Sequence, residues 1–488
     1  MLPRLAATGS GFPTVYVGDL ALHSRYNPPL EAEKYINSLH FREGVRFFIL
    51  LEPGLAYAAA PLRKRFPQAG ILSLHVSDFF TRSKTNTDGA AGVTAAWSPG
   101  LGETLQCFLE KHLPDTEAAS VAIVEWRPSQ AAFGELYLKV FSETVEYIKR
   151  ADANKRTLDN FGRRWFKNVF RNLRLLKQSI RYHPFSSPLV IAGAGPSLEQ
   201  TIPLLAEKHS PLFILAVSSA VPALRAANVP PDLILTTDGG NWALLHLYEA
   251  FRDQRPPAFA AALTAALPSQ FAGLPWLPIS DGSLWQNILL CGTGLPFAVL
   301  PQRGTVTATA LDLAFQLCRG PVYITGMDLE HRDIRTHARP YSFERLFTEA
   351  VSRLNPAYSQ TFVRAGAVGS LGIYAQWFAR RMAAYPDRLF SLGNNNAVFK
   401  ERSIGVFNHE TTPVKKIPEE IAETVLLNRE QSTETLSTAL LKALESGETR
   451  EALLRELGPL LFPGDSAAQV SPEAVRKEIG IAAGGFHG

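Results

Sequence analysis

Four short stretches of this chain carry residue types that can do chemistry together. Gly193-Ala194-Gly195-Pro196-Ser197 follows the apolar run Pro188–Ala192 and precedes a helical segment that begins at Leu198. Glycines let a backbone approach a ligand, a proline suits a first helical turn, and the free N–H groups of a helix N-terminus attract an anion. Ser197 adds a hydroxyl. Ser218-Ser219 and Thr236-Thr237-Asp238-Gly239-Gly240 close two further apolar runs, and Thr307 lies in Gly304–Ala310 ahead of another helix. Short polar residues at successive strand ends fit a pocket for phosphate, ribose and base; each hydroxyl alone equally fits a helix cap. The fourth stretch runs from Gly326 through Asp328, Glu330, His331 and Asp333 to Thr336-His337-Ala338-Arg339. A histidine that titrates near neutrality can take the proton of an attacking hydroxyl. His337 is the first candidate, His331 the second, with Asp328 beside them. Asp328, Glu330, His331 and Asp333 are also metal-ligand types, but they follow no fixed ligand spacing, and no metal site is assigned.

The elements that must position these residues follow from the apolar pattern. Pro188–Ala192, Leu212–Val217, Asp232–Thr236 and Pro321–Thr325 read as short buried strands, separated by the helical segments Leu198–Lys208, Val221–Ala227 and Ala308–Leu317. Such alternation predicts a parallel sheet covered on both faces, with ligands outside the carboxyl ends of its strands. Upstream, Val45–Leu51, a helix from Ala58 to Arg65 and Gly70–Val76 form a second strand–helix–strand unit. Its first turn, Glu52-Pro53-Gly54, lacks the G-x-G-x-x-G fingerprint, so this domain is expected to be structural. From about Thr412 helical spacing returns in Ile417–Arg429 and Thr433–Ser446. The fold class expected is α/β. Residues 1–148 form a Rossmann-like N-terminal domain, 149–185 a basic connecting helix, 186–411 a central parallel-sheet domain and 412–488 a helical region.

That connecting helix holds most of the asymmetry in charge. Lys149 to Arg181 contains eleven Lys or Arg and two acids, Asp152 and Asp159, whereas the whole chain has a formal net charge of +4. Phe166, Val169, Phe170, Leu173, Leu176 and Ile180 recur at three- and four-residue steps, which marks one buried stripe. The basic faces fit either a solvated helix or an electropositive wall near an anionic ligand. No stacking pattern or recognition motif for nucleic acid accompanies them.

Composition bounds the rest. At 488 residues, 46% hydrophobic and 19% charged, the chain is long enough for about three domains and too apolar to be disordered. Cys107, Cys291 and Cys318 form no close-spaced pair, which fits a reducing compartment rather than a disulfide framework. The opening Met1–Gly9 lacks the apolar core of a secretory signal. The most apolar stretch, Phe259–Leu267, is about half the roughly 20 residues of a membrane span. A cytoplasmic protein is expected.

Taken in order, these segments resemble the motility accessory factors, bacterial flagellin glycosyltransferases with a core similar to the bacterial sialyltransferases. The matching elements are Ile191–Leu198, Pro231–Asp238, Thr305-Val-Thr-Ala, Val322–Leu329 and Thr336-His337-Ala, with Leu22–Pro28 and Glu31-Ala32 near the N-terminus. The resemblance implies transfer of a nonulosonic acid, of pseudaminic or legionaminic type, from its CMP conjugate to a Ser or Thr of flagellin. By analogy, Gly193–Ser197 would hold the CMP phosphate and ribose, Ser218, Ser219 and Asp238 would contact the nucleotide, and Thr307 would line the same pocket. It implies no required cofactor or metal, and it leaves room for an assisting divalent ion and for a homo-oligomer. The same core resembles the archaeal 6-hydroxymethylpterin pyrophosphokinases, which gives an alternative diphosphotransferase reading. A non-catalytic flagellin-binding module is a third.

Overall fold

The structure is a computed structural model that describes residues 3–82, 91–208, 212–252, 256–329, 335, 337–357, 369–392, 421–427, 433–445, 447–463 and 470–484. It divides into two compact units, Met1–Asn160 and Phe161–Gly488. The division falls inside one continuous helix, Glu135–Leu175. The C-terminal helices belong to the same unit as the central sheet.

In the first unit, strands β1 (Phe47–Leu51), β2 (Gly70–Leu74), β3 (Ala95–Trp97) and β4 (Val121–Glu125) form a parallel sheet in the order β3-β2-β1-β4. The expected strand–helix–strand unit is present, with its helix at Ala59–Arg65. Glu52, at the end of β1, sits at φ +41°. Its buried carboxylate accepts the Val76 N–H at 2.6 Å and lies 3.2 Å from His75 Nδ1. A buried acid occupies the turn where a nucleotide fold would place glycine and phosphate.

The second unit is built on eight parallel strands. They are β5 (Leu189–Ala192), β6 (Phe213–Val217), β7 (Leu233–Thr236), β8 (Ala258–Ala262), β9 (Trp276–Ser280), β10 (Ala298–Val299), β11 (Val322–Thr325) and β12 (Leu389–Ser391). Their order is β10-β9-β8-β7-β6-β5-β11-β12. β5 is buried along its whole length, as the continuous apolar run required. The chain leaves β5 toward β6 on one side and returns to β11 on the other, so the sheet's switch point lies between β5 and β11.

Two expectations change here. The basic helix ends at Leu175, and Gln178–Tyr182 is a strand. Its antiparallel partner is Ala422–Leu426, inside the segment Ile417–Arg429 read as helical from its spacing and its helix formers. Strong helix formers gave the helical reading, and backbone pairing across the unit overrode their weak propensity. The Phe166–Ile180 stripe is buried as expected.

The basic faces of this helix have a structural use. Arg163 donates to the Leu461 carbonyl at 2.6 Å, at the end of helix Gly447–Leu461. Arg174 donates to the Ala483 carbonyl at 3.0 Å, at the end of helix Pro472–Gly484. Cations at helix C-termini satisfy orphan carbonyls and complement the dipole. Arg164, Lys167, Arg171 and Lys177 remain exposed.

Candidate active site

The glycine turn and the Asp328 loop leave the sheet side by side at the switch point. Gly193 N–H donates to the Thr325 carbonyl at 2.8 Å, and Gly195 N–H to the Gly326 carbonyl at 2.7 Å. A Cβ on Gly193 would lie 2.4 Å from the Gly326 oxygen, and one on Gly195 would lie 2.1 Å from Asp328 Oδ2. Gly326 itself has φ +67° and faces the Gly193 oxygen. These glycines are therefore fixed by two backbones pressed together. Thr201 and Thr325 brace the junction beneath through a 2.6 Å hydroxyl pair.

Asp328 is buried, and its Oδ2 accepts the Ser197 N–H at 2.9 Å. With Gly193, Gly195 and Ser197 so engaged, Ala194 is left as the turn's N–H donor without a partner among the described residues. Pro196 has no N–H to give. The turn can thus offer shape and one donor to a nucleotide, less than a full phosphate cradle.

The His337 segment docks directly on this turn. Ala338 N–H donates to the Ala194 carbonyl at 2.8 Å. Glu199, in the first turn of helix Leu198–Lys208, accepts the Arg339 N–H and the Arg335 guanidinium, each at 2.9 Å. His337 is half-buried and stacks on Tyr341 at 5.5 Å between ring centres. His331 lies outside the described residues.

His246 joins the cluster, and no sequence pattern marked it. It lies in helix Leu244–Ala250, just past the Asp238–Gly240 turn, and its Nδ1 is 2.9 Å from Ser342 Oγ. Burial, and then the nearby His337, push its pKa down to about 4, so it is neutral at physiological pH. Phe343 packs edge-on against its ring at 4.7 Å and against the exposed Trp242 at 6.4 Å.

The remaining expected residues share the carboxyl edge of the sheet. Ser218, buried, and Ser219 form a short turn after β6. Asp238 is exposed after β7, and its Oδ1 accepts the Gly240 N–H at 2.7 Å. At the last position of β7, the buried Thr236 hydroxyl has no hydrogen-bond partner among the described residues. Thr307 is in the first turn of helix Val306–Leu317, which Thr305 caps through the Ala308 N–H. Two asparagines of the long helix hold this edge in place. Asn168 donates to the Gly239 and Thr264 carbonyls, and Asn172 to those of Leu263 and Ala265, at 2.7–3.1 Å. Among the described residues no group of three or more His, Cys, Asp or Glu is placed to hold a metal ion. No described helix is long and apolar enough to cross a membrane.

A parallel sheet with a tight glycine turn at its switch point defines an α/β protein of the doubly wound, Rossmann-like type. Residues 163–333 match the family model described as 6-hydroxymethylpterin diphosphokinase MptE-like. The structure is similar to a MAf glycosyltransferase from Magnetospirillum magneticum AMB-1, over 99% of this chain and 90% of that one, with a TM-score of 0.53 and 14% identity. The α/β fold is thus shared nearly end to end, and the family model over 163–333 carries the pterin-kinase name that the central motifs also suggested. Two uncharacterized proteins of Treponema pallidum (strain Nichols) are also similar. One is 30% identical over 277 residues, 56% of this chain and 60% of its own. The other is 24% identical over 380 residues, 73% of this chain and 64% of its own. The chain therefore spans less than two thirds of the length of either relative.

Proposed function

We propose that the chain is a glycosyltransferase that moves a nonulosonic acid, of pseudaminic or legionaminic type, from a CMP conjugate to a Ser or Thr hydroxyl of flagellin. The observation that carries this reading is the docking of the His337 segment on the Gly193–Ser197 turn, through the 2.8 Å bond from Ala338 to Ala194. It sets a proton acceptor beside the turn proposed to hold the nucleotide. The acceptor oxygen forms a bond to the anomeric carbon as the bond from that carbon to the CMP phosphate oxygen breaks. CMP leaves with the electron pair, and the hydroxyl proton passes to His337. His246, neutral at physiological pH, adds no positive charge against the imidazolium so formed. The Ala194 N–H and the strand-end hydroxyls of Ser218, Ser219, Thr236 and Thr307, with Asp238, bind the nucleotide in this scheme.

A second reading is favoured by the family model itself: diphosphate transfer from ATP to a hydroxymethylpterin. The matched segment, 163–333, stops short of His337. The two are separated by offering the protein flagellin with CMP-pseudaminic or CMP-legionaminic acid, and separately ATP with 6-hydroxymethylpterin. A flagellin mass increase equal to one nonulosonic acid supports the transferase. AMP release with pterin diphosphate sinks it. CMP binding without turnover in either assay favours a non-catalytic flagellin-binding module.

A further inference from the structure

Trp242 stands at the carboxyl edge of the central sheet, on the turn that follows β7, with 68% of its surface open. Among the described residues its one ring partner is the half-buried Phe343, 6.4 Å away at an interplanar angle of 70°. An indole this exposed gains little from folding, yet the backbone beneath it is tightly held. Asp238 Oδ1 accepts the Gly240 N–H at 2.7 Å, and the Asp238 carbonyl accepts the Ala266 N–H at 2.9 Å. The Ala243 N–H donates to the Gly240 carbonyl at 3.0 Å, which closes the turn around Trp242. A Cβ on Gly239 would lie 2.4 Å from Trp165 Cδ1 and 2.8 Å from the Thr264 carbonyl oxygen. Gly239 thus lets the long helix and the loop after β8 press against the turn.

We propose that Trp242, braced by Phe343, is the stacking platform for the nucleobase of the donor. The proposal rests on the nucleotide-donor reading above and adds the residue that holds the base. β5, β6 and β7 are successive parallel neighbours. At about 4.8 Å between strands, the glycine turn after β5 and the turn after β7 are about 10 Å apart. That is the reach of a mononucleotide from its phosphate to its base. A phosphate at Gly193–Ser197 and a ribose at Ser218-Ser219 therefore bring the base to the end of β7. The reacting sugar has to lie at His337. Contacts from His337 to the indole run through His246 and Phe343, which leaves sugar and base at opposite ends of that row. Every base has a π-face, so the platform supplies affinity and does not by itself select cytosine.

The test uses the full chain with Trp242→Ala and Trp242→Phe, changes at an exposed site whose thermal midpoints should match the parent. CMP affinity is read by calorimetry. Trp242→Ala should weaken it by about 5- to 150-fold, the usual cost of removing one base–aromatic stack, and Trp242→Phe should recover most of that loss. Contact is read separately by fluorescence. CMP should quench the parent's emission, and the quenched component should be absent from Trp242→Phe, which keeps every other tryptophan. Unchanged CMP affinity in Trp242→Ala, or equal quenching in the parent and Trp242→Phe, overturns the proposal. AMP titrated in the same way keeps the two ideas apart. CMP binding that ignores Trp242 removes the platform alone. AMP binding that needs Trp242, with no CMP binding, removes the CMP donor and leaves the platform. A chain that binds neither nucleotide, or AMP alone without need of Trp242, loses both.

Discussion

The Asp328 carboxylate accepts the Ser197 N–H at 2.9 Å while lying where a side chain on Gly195 would have to go. One hydrogen bond and one steric exclusion thus hold together the two loops that diverge at the sheet's switch point. Asp328, one of the polar candidates for chemistry, acts here as the clip that shapes the turn.

That relationship predicts a pattern of substitutions. In Gly195→Ala the new Cβ would be 2.1 Å from Asp328 Oδ2 and 2.8 Å from the Gly326 carbonyl, and the backbone carbonyl cannot swing away. Overpacking of this kind costs about 1–3 kcal/mol. Asp328→Ala leaves a buried N–H unsatisfied, at about 1–3 kcal/mol. Because the side chains meet, the double variant should cost less than the sum of the two. Urea unfolding of the three variants checks this, and both single variants should lose CMP binding. Full additivity would show that the contact does not matter.

His337→Ala should separate binding from chemistry. The bond that docks its segment, from the Ala338 N–H to the Ala194 carbonyl, is made by backbone atoms and survives the substitution. CMP affinity should stay within a few-fold of the original, while transfer to flagellin falls by about 10²–10⁴, the usual contribution of a positioned base. Calorimetry and intact-protein mass spectrometry read the two effects. Undiminished transfer would remove His337 from the mechanism.

Much of this site was legible in the sequence, and the gaps have physical causes. β5, β6, β7 and β11 are short apolar runs followed by glycine, serine or threonine, so both the strands and their polar or glycine-rich ends stood out. β8 is largely alanine, which has little strand propensity, and β9 contains Pro278, which argues against a strand. His246 stands in Leu244-Leu-His-Leu-Tyr248, where a lone histidine has no signature. Only the fold brings it to Ser342, 96 residues away.

The neutral His246 makes stability depend on pH. Its folded pKa is depressed from its ordinary 6.5 to about 4, so above pH 6.5 both folded and unfolded states carry it neutral and its full contribution is present. As pH falls from about 6.5 toward 4 the unfolded chain takes up the proton first, and that contribution is lost. At pH 5 the loss is about 2 kcal/mol. His23, pushed down to about 3 by burial, titrates over an overlapping range, so the useful comparison is with a His246→Gln variant that retains it. The fall in unfolding free energy from pH 7.5 to pH 5 should be smaller by about 2 kcal/mol in the variant. Equal falls would mean that His246 is not held neutral.

The long helix offers the last test, because its asparagines rather than its charges reach the strand ends. Each amide of Asn168 and Asn172 bonds two carbonyls, so one residue type at a four-residue step grips the loops after β7 and β8. Asn172→Leu keeps the branching and heavy-atom count of the side chain and removes both donors, stranding the carbonyls of Leu263 and Ala265 in a buried place. A loss of about 2–4 kcal/mol is expected, from two unmade hydrogen bonds at roughly 1–2 kcal/mol each. Reversing the exposed Arg171→Glu on the same helix should change stability by less than about 0.5 kcal/mol. Denaturant midpoints of the two variants check the contrast. Similar midpoints would put the helix's hold on the site in its charge and its packing instead.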